Sequence, residues 1–110
     1  MTKVNADEII EFIQNNLTDK DLYRKIVGKY YYHPIYVNAQ FKMQTGKSIS
    51  QYITETKMEV IHKLISEGKS CHEAVSATGV TDIGWASRRY KKLFGEKMID
   101  TKMRATEEGV

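Results

Sequence analysis

Residues 70–95 read SCHEAVSATGVTDIGWASRRYKKLFG. Ser70 stands three residues ahead of Glu73, the reciprocal pairing that caps a helix start. Ala74, Val75 and Thr78 then fall on one helical face, and Gly79 closes the short helix. Thr81 or Asp82 caps a second helix, with Ala86, Tyr90, Leu93 and Phe94 predicted inside and Gly95 after its end. The order is a short helix, a tight turn and a second helix.

The same order occurs earlier in the chain. Asn5 with Glu8 opens a first helix that carries Ile9, Ile10, Ile13 and Leu17 at helical spacing. Thr18 or Asp19 starts a second, with Leu22, Ile26, Val27 and Tyr30 on its inner face. His33-Pro34 stops it, and Pro34 suits the first turn of the next helix, where its missing N–H has no partner to lose. Val37 and Phe41 are predicted to face inward, and Gly46 ends that helix. A short helix, tight turn and second helix thus occur twice, the helix-turn-helix pattern.

Between the two lies the strongest periodicity. Ser48 with Gln51 is a capping box, followed by Ile49, Tyr52, Ile53, Val60, Ile61, Leu64 and Ile65. A helix over residues 50–67, ended by Gly68, is about 27 Å long at ~1.5 Å per residue. Tyr52, Ile53, Ile61 and Leu64 are its expected buried residues. Met98, Ile99 and Met103 suggest a last, weaker helix. The expectation is an all-α fold of about seven helices, with no strand signals. Residues 1–47 form one helix-turn-helix unit, 48–67 the linker helix, 68–104 the second unit and 105–110 a flexible tail.

Composition bounds the function. The 110 residues are 28% charged and 41% hydrophobic, ordinary for a globular domain. No apolar run approaches the ~20 residues of a membrane span, and Met1-Thr2-Lys3 does not open a signal peptide. Cys71 is alone, which suits a reducing cytosol. Net charge is +3 but uneven: residues 21–50 hold five basic groups against Asp21, and residues 71–95 hold four against Glu73 and Asp82. Such segments permit nucleic-acid binding, although by charge alone a solvated surface explains them better.

Catalysis and cofactors find no motif. His33, His62, Cys71 and His72 lack zinc spacing, and no phosphate loop, GxSxG or HExxH occurs. No cofactor and no metal is expected. The run Tyr30-Tyr31-Tyr32 is read as packing of the turn rather than as a binding patch.

The sequence resembles the AraC/XylS family of bacterial transcription regulators. The resemblance rests on Phe41-Lys42, Thr45 through Ile53, Lys57-Met58, Leu64-Ile65, Gly79 and Arg88 through Gly95. It runs from about Asp7 to Lys102, and the order and spacing of these short motifs carry it together. It implies two helix-turn-helix units bridged by a long helix, with two recognition helices in successive major grooves, about 34 Å apart. It also implies a sequence-specific regulator rather than an enzyme, in the bacterial cytoplasm and associated with the nucleoid. The partner is double-stranded DNA, with RNA polymerase a further candidate and no membrane, and one monomer is expected per site. A separate ligand-binding domain has no room here, so the chain looks like the short, stand-alone members. Departures from the family pattern are Val27 and Tyr31 at the first turn, Ala39, Val80, Ala86, Met98 and Lys102.

Candidate contacts follow from the helical pattern and the resemblance together. On the second recognition helix they are Gly84, Trp85, Ser87, Arg88, Lys91 and Lys92. Arg88 matches the family's base-reading arginine, and arginine reads guanine through two parallel hydrogen bonds. Trp85 suits a thymine methyl or, equally, the core. Arg89 and Lys47 are expected on phosphates, as Lys91 and Lys92 also are. On the first recognition helix the candidates are Ile35, Tyr36, Asn38, Ala39 and Lys42, with Asn38 suited to adenine. The competing reading is a protein-interaction module of the same fold that modulates other regulators. Ala39 and the odd first turn favour it; Arg88, Lys91 and Lys92 favour DNA.

Overall fold

A computed structural model describes residues 4–29 and 33–107. Among these the chain is all-helical, with seven helices and no strand, as expected. They are α1 (Ala6–Asn15), α2 (Leu22–Lys29), α3 (Pro34–Thr45), α4 (Ile49–Ser66), α5 (Cys71–Ser76), α6 (Ile83–Phe94) and α7 (Met98–Glu107). The chain divides into two compact units, Met1–Thr54 and Glu55–Val110. The expectations placed on Tyr30, Tyr31 and Tyr32 lie outside the described residues.

In the first unit the helix starts are local. The Asn5 side chain accepts from the N–H groups of Asp7 and Glu8 and caps α1. Asp19 accepts from the N–H of Asp21 in the turn before α2. Pro34 opens α3, and Gly46 ends it at φ 82°, a left-handed conformation that strains any L side chain. Ile9, Ile13, Leu22, Ile26, Val37, Phe41 and Ile49 are buried together with Val4 and Ala6. Ile10, Leu17, Val27, Tyr52 and Ile53 pack around them half-buried. Tyr52 meets the Phe41 ring edge-on at 5.6 Å. Gln44 clasps the chain start to α3: its carbonyl accepts from Ala6 N–H at 3.1 Å and its amide donates to Val4 O at 2.9 Å.

In the second unit Ser70 caps α5 and Asp82 caps α6, each through its side-chain oxygen. Met58, Ile61, Ile65, Ala74, Val75, Ala86, Tyr90 and Met98 form the core. The Thr78 hydroxyl is buried too and donates to Val75 O. Lys102 donates to the carbonyl of Gly68.

Three expectations need correction. The buried residues of α4 are Ile49, Met58, Ile61 and Ile65, while Tyr52, Ile53 and Leu64 are half-buried. A helix shared between two cores need not keep one continuous apolar stripe, so Met58 stood outside the predicted one. Leu93, predicted inside, is 42% exposed, whereas Ile99 and Met103 lie on a last helix as expected and are 52% and 57% exposed. On α6 the core side is filled by Tyr90 and Phe94, and on α7 by Met98, Thr101 and Ala105. Finally α7 continues to Glu107 with Ala105 buried, so residues 105–107 are helix rather than tail; residues 108–110 lie outside the described residues.

The burial pattern predicts a sharp contrast between two apolar truncations. Phe41→Ala should cost ~3–5 kcal/mol of stability, and Leu93→Ala no more than about 0.5 kcal/mol. Urea unfolding of both variants checks this. A Leu93→Ala loss comparable to that of Phe41→Ala would mean that Leu93 is a core residue after all.

Candidate nucleic-acid interface

The candidate residues of the second unit converge on one helix face. α6 turns Ala86 and Tyr90 fully inward, with Phe94 half-buried behind them. Ser87, Arg88, Arg89, Lys91 and Lys92 are all exposed. No Asp or Glu lies between Ile83 and Phe94, so α6 carries four positive charges and no negative one. Gly84 is half-buried, and a methyl group there would stand 3.3 Å from Asp82 Oδ1 and 3.5 Å from Arg88 Nη1. Glycine therefore leaves space for both the capping carboxylate and the Arg88 guanidinium lying over the first turn. Trp85 is half-buried against the core, with the Arg89 guanidinium 5.9 Å from its ring centre, the upper range of a cation–π contact. Packing thus accounts for much of Trp85.

What fixes α6 is a polar chain beneath it. The Tyr90 hydroxyl lies 2.8 Å from His62 Nδ1 on α4 and 2.8 Å from Thr101 Oγ1 on α7. Thr101 donates to Glu96 Oε1 at 3.0 Å, and Arg104 grips both Glu96 oxygens at 2.8 and 2.6 Å. Each hydroxyl has one proton. The Thr101 proton goes to the carboxylate, so Tyr90 donates to Thr101 and His62 must present Nδ1–H. The chain then runs one way, from imidazole to carboxylate. His62 also stacks on Phe94 at 4.6 Å. Burial pushes the Tyr90 phenol up, and the Arg104 hydrogen bonds hold the Glu96 carboxyl below the usual carboxylate range.

α3 is different in kind. Val37 and Phe41 are buried, and Ile35, Tyr36, Ala39 and Lys42 are exposed. Asn38, expected to face outward, is half-buried, and its amide is engaged. It donates to Tyr23 Oη at 2.6 Å and Pro34 O at 3.0 Å, and its oxygen accepts from Ile49 N–H at 3.3 Å. It ties α3 to α2 and to the start of α4. The N-cap of α3 is His33, whose Nδ1 accepts from Ile35 N–H. Lys47 sits half-buried in the connection between α3 and α4. Met43 was not among the candidates, yet it is 79% exposed. Its place four residues after Ala39 and eight after Ile35 was the available signal.

Among the described residues no three His, Cys, Asp or Glu side chains come together as metal ligands. None of the described helices is long and apolar enough to cross a membrane.

No family model matches the chain, and no solved structure matches it. It is similar to a Bacillus subtilis (strain 168) protein described as an uncharacterised HTH-type transcriptional regulator, YobQ. The two are 30% identical over 87 residues, which cover 78% of this chain and 36% of that protein. The chain thus spans little more than a third of that relative's length.

The polar chain predicts an acid-side dependence of stability. A carboxyl whose folded value is depressed contributes fully above its unfolded value, and that contribution fades as pH falls through the folded value. The native protein should therefore lose more stability than Glu96→Gln as pH drops below the ordinary carboxylate range. Unfolding midpoints measured from neutral to acidic pH test this. Parallel losses in the two proteins would remove Glu96 from the account.

Proposed function

We propose that the chain is a sequence-specific, double-stranded-DNA-binding transcription regulator of AraC/XylS type, with α3 and α6 as the helices that enter successive major grooves. The observation that carries the proposal is α6, where four exposed cations stand without an acid on the face turned from Ala86 and Tyr90. Similarity to a protein described as an HTH-type transcriptional regulator supports the coarser part.

On this reading residues 1–47 and 68–104 are the two reading units and 48–67 their connector. Arg88 reads a guanine by two parallel hydrogen bonds, with Ser87 beside it and Gly84 allowing close backbone approach. Arg89, Lys91, Lys92 and Lys47 neutralise phosphates, contributing affinity without sequence information. Ile35, Tyr36, Ala39 and Lys42 form the contact surface of α3, and Asn38 orients that helix from within. The protein is non-enzymatic, acts in the bacterial cytoplasm at the nucleoid, and takes RNA polymerase as a further partner.

A protein-interaction module of the same fold is the second reading. Ile99 and Met103, a turn apart on α7 and both exposed, favour it. Affinity for duplex DNA that falls steeply with salt separates the two, because counterion release is the signature of phosphate contacts.

Arg88→Ala should weaken binding to a selected site by ~1–3 kcal/mol and relax preference at one base pair. Lys92→Ala should weaken all sequences alike and reduce the salt slope by about one. Site selection repeated with each variant reads both effects. An unchanged preferred site for Arg88→Ala would take base reading away from that residue.

Charge predicts an asymmetric site. α6 carries four cations and α3 only Lys42, so the second unit should anchor a single chain and one half of the site should be more stringent. Base-by-base substitution and footprinting measure this. Two chains on a palindrome, or equal stringency in both halves, would contradict it.

A further inference from the structure

The outward ridge of α3 is Ile35, Ala39 and Met43, spaced four residues apart and so aligned along one helix face. At ~1.5 Å per residue this ridge is about 12 Å long. Ile35 is 72% exposed and Met43 79%. Bare apolar side chains in a row mark a binding surface. Two of the three amides on α3 are spent inside the unit: Asn38 on Tyr23, Pro34 and Ile49, and Gln44 on Val4 and Ala6. Gln40 is half-buried off the ridge. The charged neighbour on α3 is Lys42, and the helix contains no Asp or Glu.

The partner of such a face must be polyanionic overall yet offer apolar groups at the point of contact. Residues 21–50, which include α3, hold five basic groups against one acid. Duplex DNA meets both conditions, because phosphates line the groove and each thymine projects its C5-methyl into the major groove. An apolar protein surface would match the ridge but not the surplus of basic groups around it in the sequence.

We propose that α3 reads thymine methyl groups through apolar contact from Ile35, Ala39 and Met43, rather than reading hydrogen-bonding edges. This rests on the DNA-reading assignment above and narrows it to one class of base contact. It makes the α3 half of the site T-rich and the α6 half dependent on guanine.

The test uses the full chain and a duplex that it has selected from a random pool. Single thymines are replaced by deoxyuridine, which removes the methyl and nothing else. Burying one methyl is worth ~0.8 kcal/mol, so each contacted thymine should cost about fourfold in Kd. The sensitive positions should all lie in the half whose preference survives Arg88→Ala. Ile35→Ala and Met43→Ala truncate exposed side chains and leave the fold intact, and each should abolish the deoxyuridine penalty at one position. Specific binding that is indifferent to deoxyuridine everywhere overturns the methyl contact and leaves the DNA-reading assignment standing. Penalties that persist unchanged in both variants also overturn it. Failure to select any duplex, with no salt-sensitive binding, overturns both.

Discussion

The Tyr90 hydroxyl is a polar group in a fully buried side chain, and such a group is tolerable only when hydrogen-bonded. Its partners come from two other helices, His62 on α4 and Thr101 on α7. Because Thr101 must serve Glu96 as well, the arrangement admits one direction of donation. Rotation of α6 about its axis, or sliding along it, would break both contacts at once. The ring fills the core while the oxygen sets the register. The inner face is so determined, and the outer face of α6 is the one that carries charge.

The first unit solves the same problem with an amide. Asn38 joins α3 to Tyr23 of α2 and to the first N–H of α4. That N–H is one of the orphan donors at a helix start, so a single side chain both orients α3 and completes the cap of α4. In each unit, then, one polar residue of the exposed helix ties it to two neighbouring helices. Such networks specify one packing arrangement where apolar contacts alone would allow several. The two differ in what they leave outside: cations on α6, aliphatic side chains on α3.

The features that could be read from sequence were the local ones. Asn5, Ser48, Ser70 and Asp82 each cap the helix that follows, since a cap needs only a short side chain and an N–H two or three residues on. Gly46 and Gly95 end their helices in the left-handed conformation for an equally local reason. Misreadings arose where distance in sequence mattered. Met58 is buried because α4 is shared by two cores, which no single-helix periodicity reveals. Leu93 is displaced from the core by the aromatic bulk of Tyr90 and Phe94. Asn38 looked like a surface reader because its partners, Tyr23 and Ile49, lie fifteen and eleven residues away. The Gln44 clasp, spanning 38 and 40 residues, left no local trace at all.

The charges of α6 can be sorted by asking which of them the fold itself favours. Lys91 and Lys92 lie in the last turn, where the helix dipole favours cations by ~0.3–1 kcal/mol. The Arg89 guanidinium has the Trp85 ring, a further modest gain. Arg88 has neither. It lies in the middle of the helix, where the dipole is weak, and three and four residues before Lys91 and Lys92. Like charges at those spacings oppose helix formation by ~0.2–0.5 kcal/mol per pair. Among the described residues it forms no ion pair; Asp82, the nearest acid on the capping side, lies across Gly84 from the Arg88 guanidinium and also accepts from Trp85 N–H. Folding alone would do better with a neutral residue there. Of the four cations Arg88 is therefore the one that the fold itself favours least.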